Sequence, residues 1–159
     1  VVIQHVDKHA APGMSKWLAD HCTLPVRVAI EGDRPSGGVI LLAGTSDHLV
    51  LKTPAALGYT VDPRENVYRP SVDAFFYSVS RLWSGDAAGV VLTGMGRDGA
   101  AGLKALRDQG RYTIAQDEAS SAVYGMPKAA VERRAATEVL PLGLIGAAVV
   151  NQLRSRCHA

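Results

Sequence analysis

At 159 residues the chain is long enough to bury one sizeable hydrophobic core. Hydrophobic side chains make up 47% and charged ones 20%, and no apolar run approaches the roughly 18 residues of a membrane helix, so a cytoplasmic globular domain without membrane insertion is expected. The 17 basic and 15 acidic residues, net +2, are scattered along the chain, which excludes the clustered positive face of a nucleic-acid binder.

The first apolar stretch, VVIQHV, reads as a strand over residues 1–4. It carries neither an initiator Met nor a signal-peptide pattern, so the sequence is expected to start inside a domain. A helix is predicted over 13–20, then strands over 26–29, 39–43 and 48–52. Between Glu31 and Asn66 the turns are rich in Gly, Pro, Ser and Asp, which suggests antiparallel strands appended to a parallel core. Pro70 and Ser71 precede Val72, Phe75, Phe76 and Val79 at helical spacing, predicting a Ser-capped helix over 71–82 whose apolar face packs on a sheet. Strands over 90–93, 113–115 and 138–140 then alternate with helices over 100–109, 127–134 and 144–155. Gly110 stands where a helix end needs a left-handed residue, and Pro127 fits a first helical turn. Arg133-Arg134 reads as a solvated helix end. β-branched strands alternating with helices predict an α/β fold, doubly wound, with a mostly parallel sheet flanked by helices on both faces and an added antiparallel hairpin. No repeat, low-complexity stretch or long linker divides the chain, so residues 1–159 read as one domain.

Cys22 and Cys157 are far apart and lack metal-ligand spacing, so they read as free thiols. Neither a metal nor a cofactor is implied.

The segment LTGMGRDGAAGL, residues 92–103, contains Gly94-Met95-Gly96-Arg97-Asp98-Gly99, a G-x-G-x-x-G between a strand and a helix. Read as a dinucleotide turn, it would place a pyrophosphate on the helix N-terminus, with Asp117 near the distance of a ribose-binding carboxylate. Asp98 argues against that reading, since a second negative charge at about 4 Å from a phosphate costs a few kcal/mol at protein-surface dielectric. Two other uses remain. Asp98 caps the helix, or it stays ionised beside the positive helix end and accepts a hydrogen bond from a histidine. His5, directly after the first apolar strand, stands at a carboxyl strand end, where open α/β sheets gather their sites. His9, His21, His48 and His158 have weaker positional claims.

Five segments in order, QHV (4–6), YRPSVDAFF (68–76), LTGMGRDGAAGL (92–103), TIAQDEASS (113–121) and YGMPKAA (124–130), resemble the catalytic domain of the chemotaxis-type protein-glutamate methylesterases, the CheB family. With AGTSDHL and SSAVYGMPKAA, the flavour is most similar to the branch tied to surface-sensing, cyclic-di-GMP-linked systems. The resemblance implies hydrolysis of glutamate methyl esters on chemoreceptors, with glutamine deamidation in some members, by a Ser-His-Asp triad without cofactor. Its histidine falls on His5 and its aspartate on Asp98. The Met95 amide falls on the oxyanion position within the turn formed with Gly94 and Gly96. Arg69 and Arg97, beside these loops, are candidates for meeting an acidic helical substrate.

The family's nucleophile lies in a G-x-S-x-G-G turn, and the sequence contains none; Ser36-Gly37-Gly38 falls in the hairpin region instead. The serine segment is therefore expected upstream of Val1, as is the receiver domain that precedes the catalytic domain in the family. Two alternatives stand beside the esterase: a nucleotide-binding Rossmann-like module using Gly94 to Gly99, and an inactive scaffold that keeps the receptor-binding surface.

Overall fold

The computed structural model describes residues 1–156, and Cys157 and His158 lie outside the described residues. The chain forms two compact units, Val1–Trp83 and a second beginning at Ser84. In the first, helix α1 (Ala11–Asp20) precedes a parallel pair, β1 (Val26–Val28) and β2 (Ile40–Leu42), with Val26 opposite Ile40. The strand expected over 1–4 is reduced to a single bridge. Val2 donates to the Leu41 carbonyl at 2.8 Å and accepts from the Ala43 amide at 3.0 Å, and the chain leaves the sheet at once. The apolar residues there announce a strand, but the ladder ends because Val6 turns back to donate to the Gln4 carbonyl at 2.9 Å.

An antiparallel hairpin follows, β3 (His48–Thr53) and β4 (Ala56–Thr60), paired from His48 opposite Thr60. The sequence predicts antiparallel strands here, with a turn at Thr-Pro-Ala-Ala, but sets no bounds for the strand after it. Ala56 and Gly58 are poor strand formers, and β4 is stabilised by its neighbours instead. Glu31 accepts from the Tyr59 amide at 2.8 Å, and the Tyr59 hydroxyl donates to the Ala29 carbonyl at 2.8 Å while accepting from the Gly44 amide at 3.1 Å. Burial pushes the Tyr59 phenol above its ordinary value, which keeps the donating proton in place.

Helix α2 (Val72–Leu82) begins as expected: the Ser71 hydroxyl accepts from the Ala74 amide at 3.2 Å. It buries Val72, Phe75, Phe76 and Val79, and it packs on β3. Removing each phenyl group from water contributes about 1.5–3 kcal/mol. Two polar side chains lock the helix to the hairpin. Ser78 donates to the Phe75 carbonyl at 2.7 Å and accepts from the Leu51 amide at 2.9 Å. His48, fully buried, accepts the Ser71 amide at Nδ1, 3.0 Å away, so Nε2 carries the proton shared with the Pro63 carbonyl at 3.1 Å. The arrangement assigns His48 to structure. His48→Ala leaves a cavity and two unmet backbone groups, and it is expected to cost about 2–4 kcal/mol, read as a lower urea midpoint at unchanged slope.

The second unit is a parallel sheet in the order β5-β6-β7, formed by Ala88–Val91, Tyr112–Gln116 and Glu138–Leu140. Helices α3 (Ala100–Asp108), α4 (Met126–Glu132) and α5 (Leu142–Arg156) connect and cover it. Every residue of β6 is buried, as a central parallel strand between two helix layers requires. On one face Tyr112 and Ile114 pack with Ile145 of α5, while the alternate residues Thr113 and Ala115 point to the other face. Gly110 takes φ 75° after α3, as its position predicts, and Arg133 and Arg134 lie exposed beyond α4. Parallel strands wrapped by helices, with one antiparallel pair, are the α/β architecture expected from the alternation of segments.

Candidate active site

His5 stands at the apex of the three-residue turn closed by Gln4 and Val6. Its imidazole is half-buried and stacks on the Tyr68 ring with centroids 4.5 Å apart and planes 11° from parallel. Both rings line a cleft of about 330 Å³ with Asp7, Lys8, Ser46 and Arg69. The Arg69 guanidinium is steadied by the Arg64 carbonyl, which accepts from Nη2 at 2.8 Å. Asp7 acts locally, its carboxylate accepting the His9 amide at 2.8 Å where the chain turns into α1. Thus two residues singled out in the sequence, His5 and Arg69, share one cleft. Tyr68 belongs to the motif YRPSVDAFF but has no role there that the sequence declares, and no local spacing rule would have put its ring on that of His5.

In the second unit the glycine turn is held from both sides. The Gly94 amide donates to the Val123 carbonyl at 3.0 Å, and the Gly94 carbonyl accepts the Gly125 and Met126 amides at 3.1 and 2.8 Å. A side chain at Gly94 would overlap the Met126 sulfur. One at Gly125 would place Cβ 2.7 Å from the Gly94 carbonyl oxygen and 3.0 Å from the Gly96 nitrogen. The motif GMP therefore has a mechanical meaning: its glycine lets the second loop press its backbone against the first. Beyond the contact, Gly96 takes φ 89° and Met95 is 76% exposed, presenting the turn to solvent. Burial pushes the Tyr124 phenol up, with Glu118, Asp117 and Glu132 adding to the rise.

Asp98 is buried, and the residue at the capping position of α3 is Gly99, at φ 88°. Arg97 is exposed and pairs with Glu132 at 3.1 Å. Such a surface pair is worth about 0–1 kcal/mol, little enough to yield to a competing anion.

Both features of the dinucleotide reading have internal occupants. The first glycine's amide is engaged by Val123, and the Asp117 carboxylate accepts the Ser120 amide at 3.0 Å and the Ser120 hydroxyl at 2.5 Å. A phosphate cradle needs those donors outward and the carboxylate open.

Of the other histidines, His9 and His21 are exposed, the latter with Nδ1 2.8 Å from the Trp17 carbonyl oxygen. Cys22 is a free, exposed thiol. Among the described residues no group of three or more His, Cys, Asp or Glu is placed to hold a metal, and no helix is long and apolar enough to cross a membrane.

An α/β domain with polar residues gathered on the loops after its parallel strands is the class of architecture on which hydrolase sites are built. The CheB methylesterase family model matches residues 1–149, and the chain belongs to that family. It is 60% identical over 143 residues to protein-glutamate methylesterase/protein-glutamine glutaminase 1 of Bordetella avium, covering 90% of this chain and 42% of that protein. It is 57% identical over 151 residues to protein-glutamate methylesterase/protein-glutamine glutaminase 2 of Pseudomonas syringae pv. syringae, covering 95% and 45%. The crystal structure of the Thermotoga maritima CheB methylesterase catalytic domain superposes with a TM-score of 0.89 at 28% identity, covering 95% of this chain and 82% of that one. The chain spans less than half the length of the curated relatives it matches.

Proposed function

We propose that residues 1–159 are the catalytic domain of a protein-glutamate methylesterase acting on methylated chemoreceptors in the cytoplasm, with glutamine deamidation as a second activity. The chain supplies His5 and Asp98 of a triad whose serine lies upstream of Val1, and a receiver domain regulates it in the whole protein. His5 takes the serine proton as Oγ attacks the ester carbonyl, and the ionised Asp98 steadies the imidazolium that forms. The Met95 amide, in the turn of Gly94 and Gly96, hydrogen-bonds the oxyanion, a donor worth about 3 kcal/mol in related chemistry. His5 returns its proton to the departing methoxide, and water deprotonated by His5 then opens the acyl-enzyme to glutamate and regenerated serine. Arg69 beside His5 and Arg97 beside the turn attract the acidic surface of the receptor helix.

The observation that supports this reading is Asp98 itself: a carboxylate only 8% exposed, on the glycine turn directly before the left-handed Gly99 that begins α3. The test is methanol release from a methylated receptor by the enzyme as its gene encodes it, together with calorimetric titration of NAD, NADP and FAD. Methanol release without saturable heat is expected; no methanol above the buffer rate would overturn the reading.

A further inference from the structure

Gln116 ends the central strand β6 and is fully buried. A primary amide taken from water costs about 2 kcal/mol or more unless every bond is replaced, and a Met of similar volume would fill the same space without that risk. Here each polar atom of the side chain is engaged. Oε1 accepts the Thr93 amide at 2.7 Å, and Nε2 donates to the Ser120 carbonyl at 2.8 Å and the Ser120 hydroxyl at 3.2 Å. Turning the amide over would set NH2 against an N–H and oxygen against oxygen, so its orientation is fixed by its partners. The Ser120 hydroxyl also accepts the Leu142 amide at 2.9 Å. Gln116 therefore joins the connections that leave β5 and β6, and Ser120 carries the link to the one that leaves β7.

We propose that Gln116 is the positioning residue of the oxyanion turn, which deepens and rests on the methylesterase reading of Met95. Thr93, which Gln116 holds, precedes Gly94 and passes the restraint onward. Its hydroxyl donates to the Val123 carbonyl at 3.0 Å and accepts the Val123 amide at 2.9 Å, next to the bridge between Gly94 and Tyr124. The Met95 amide lies two residues along this path. Its aim is set by a buried amide that need not touch the substrate.

Three variants of the enzyme as its gene encodes it test this. Gln116→Met keeps the volume and loses every bond. Gln116→Glu keeps the acceptor for Thr93 but turns oxygen toward the Ser120 carbonyl. Ser120→Ala removes one branch and leaves the Thr93 bond intact. Gln116→Met is expected to lower kcat about 10- to 100-fold with KM within about threefold, the signature of a misplaced donor. Ser120→Ala is expected to lower it by about fivefold or less, with Gln116→Glu between them. Hydrogen–deuterium exchange read by mass spectrometry should rise in peptides spanning residues 92–99 of Gln116→Met. If kcat stays within about twofold, or falls with no rise in that exchange, Gln116 only fills space and the proposal is wrong. Should Gln116→Met not fold, the same exchange comparison on Gln116→Glu, whose second oxygen faces the Ser120 carbonyl and displaces the carboxylate from Thr93, decides: a rise supports the proposal and no change overturns it. If the unmodified enzyme releases no methanol, the methylesterase reading falls, while the exchange measurement still judges the hold of Gln116 on the turn.

Discussion

His5→Ala is expected to lower kcat for methanol release by about 10³–10⁴, and Asp98→Asn by about 10⁴, with KM nearly unchanged in both. The two losses have different physical origins. Without the imidazole the serine hydroxyl has no base, and only the oxyanion donor and substrate binding continue to accelerate the reaction. Asparagine keeps the shape of the carboxylate but can present an NH2 group, which holds the histidine in the wrong tautomer and cannot stabilise its cation. Because the groups act as a unit, the double variant should be little slower than the slower single one. Steady-state methanol release at saturating methylated receptor, with melting curves to verify folding, measures this. Near-normal turnover by either single variant would refute the assignment of the pair.

The second large effect concerns the contact between the two loops. Gly125→Ala drives a methyl group into backbone: the Gly94 carbonyl at 2.7 Å, the Gly96 nitrogen at 3.0 Å and the Gly96 oxygen at 3.2 Å. None of these can rotate away, so the turn itself must move. A loss of about 1–3 kcal/mol in stability is expected, and a fall in kcat of about 100-fold, since a displacement near 1 Å is enough to misaim a donor. Gly94→Ala meets the Met126 side chain instead, which can be shortened. Adding Met126→Ala should therefore recover much of the activity lost in Gly94→Ala and none of that lost in Gly125→Ala. Met126 is itself buried, so each double variant is compared with Met126→Ala alone in a double-mutant cycle. Equal rescue of both glycine variants, or of neither, would show that the contacts do not act as the geometry requires.

Much of the architecture could be read from the chain. The alternation of β-branched strands with helices predicts β5, β6, β7 and the helices around them, and Ser71 and Gly110 mark their elements for reasons the structure bears out. What escaped was set by distant partners. Strand β4 has weak intrinsic preference and depends on Glu31, some 28 residues earlier. Val1 to Gln4 has a strand's composition but makes one bridge, because a turn takes the chain away. The candidate site divides in the same way. Motif residues His5, Asp98 and the glycines could be named as candidates because each residue type states a chemistry. Tyr68 and Gln116 were not, since an aromatic after a loop and an amide at a strand end look ordinary until the ring stack and the bond to Thr93 are seen.

The pair of hydrogen bonds between the Thr93 hydroxyl and Val123 copies a rung of sheet two residues past the last true strand residue, using a side chain where a ladder would use main chain. The glycine turn is thereby an outgrowth of the rigid interior rather than an ornament hung upon it. A change buried deep in β6 is therefore expected to reach the turn as lost alignment before it lowers the melting point.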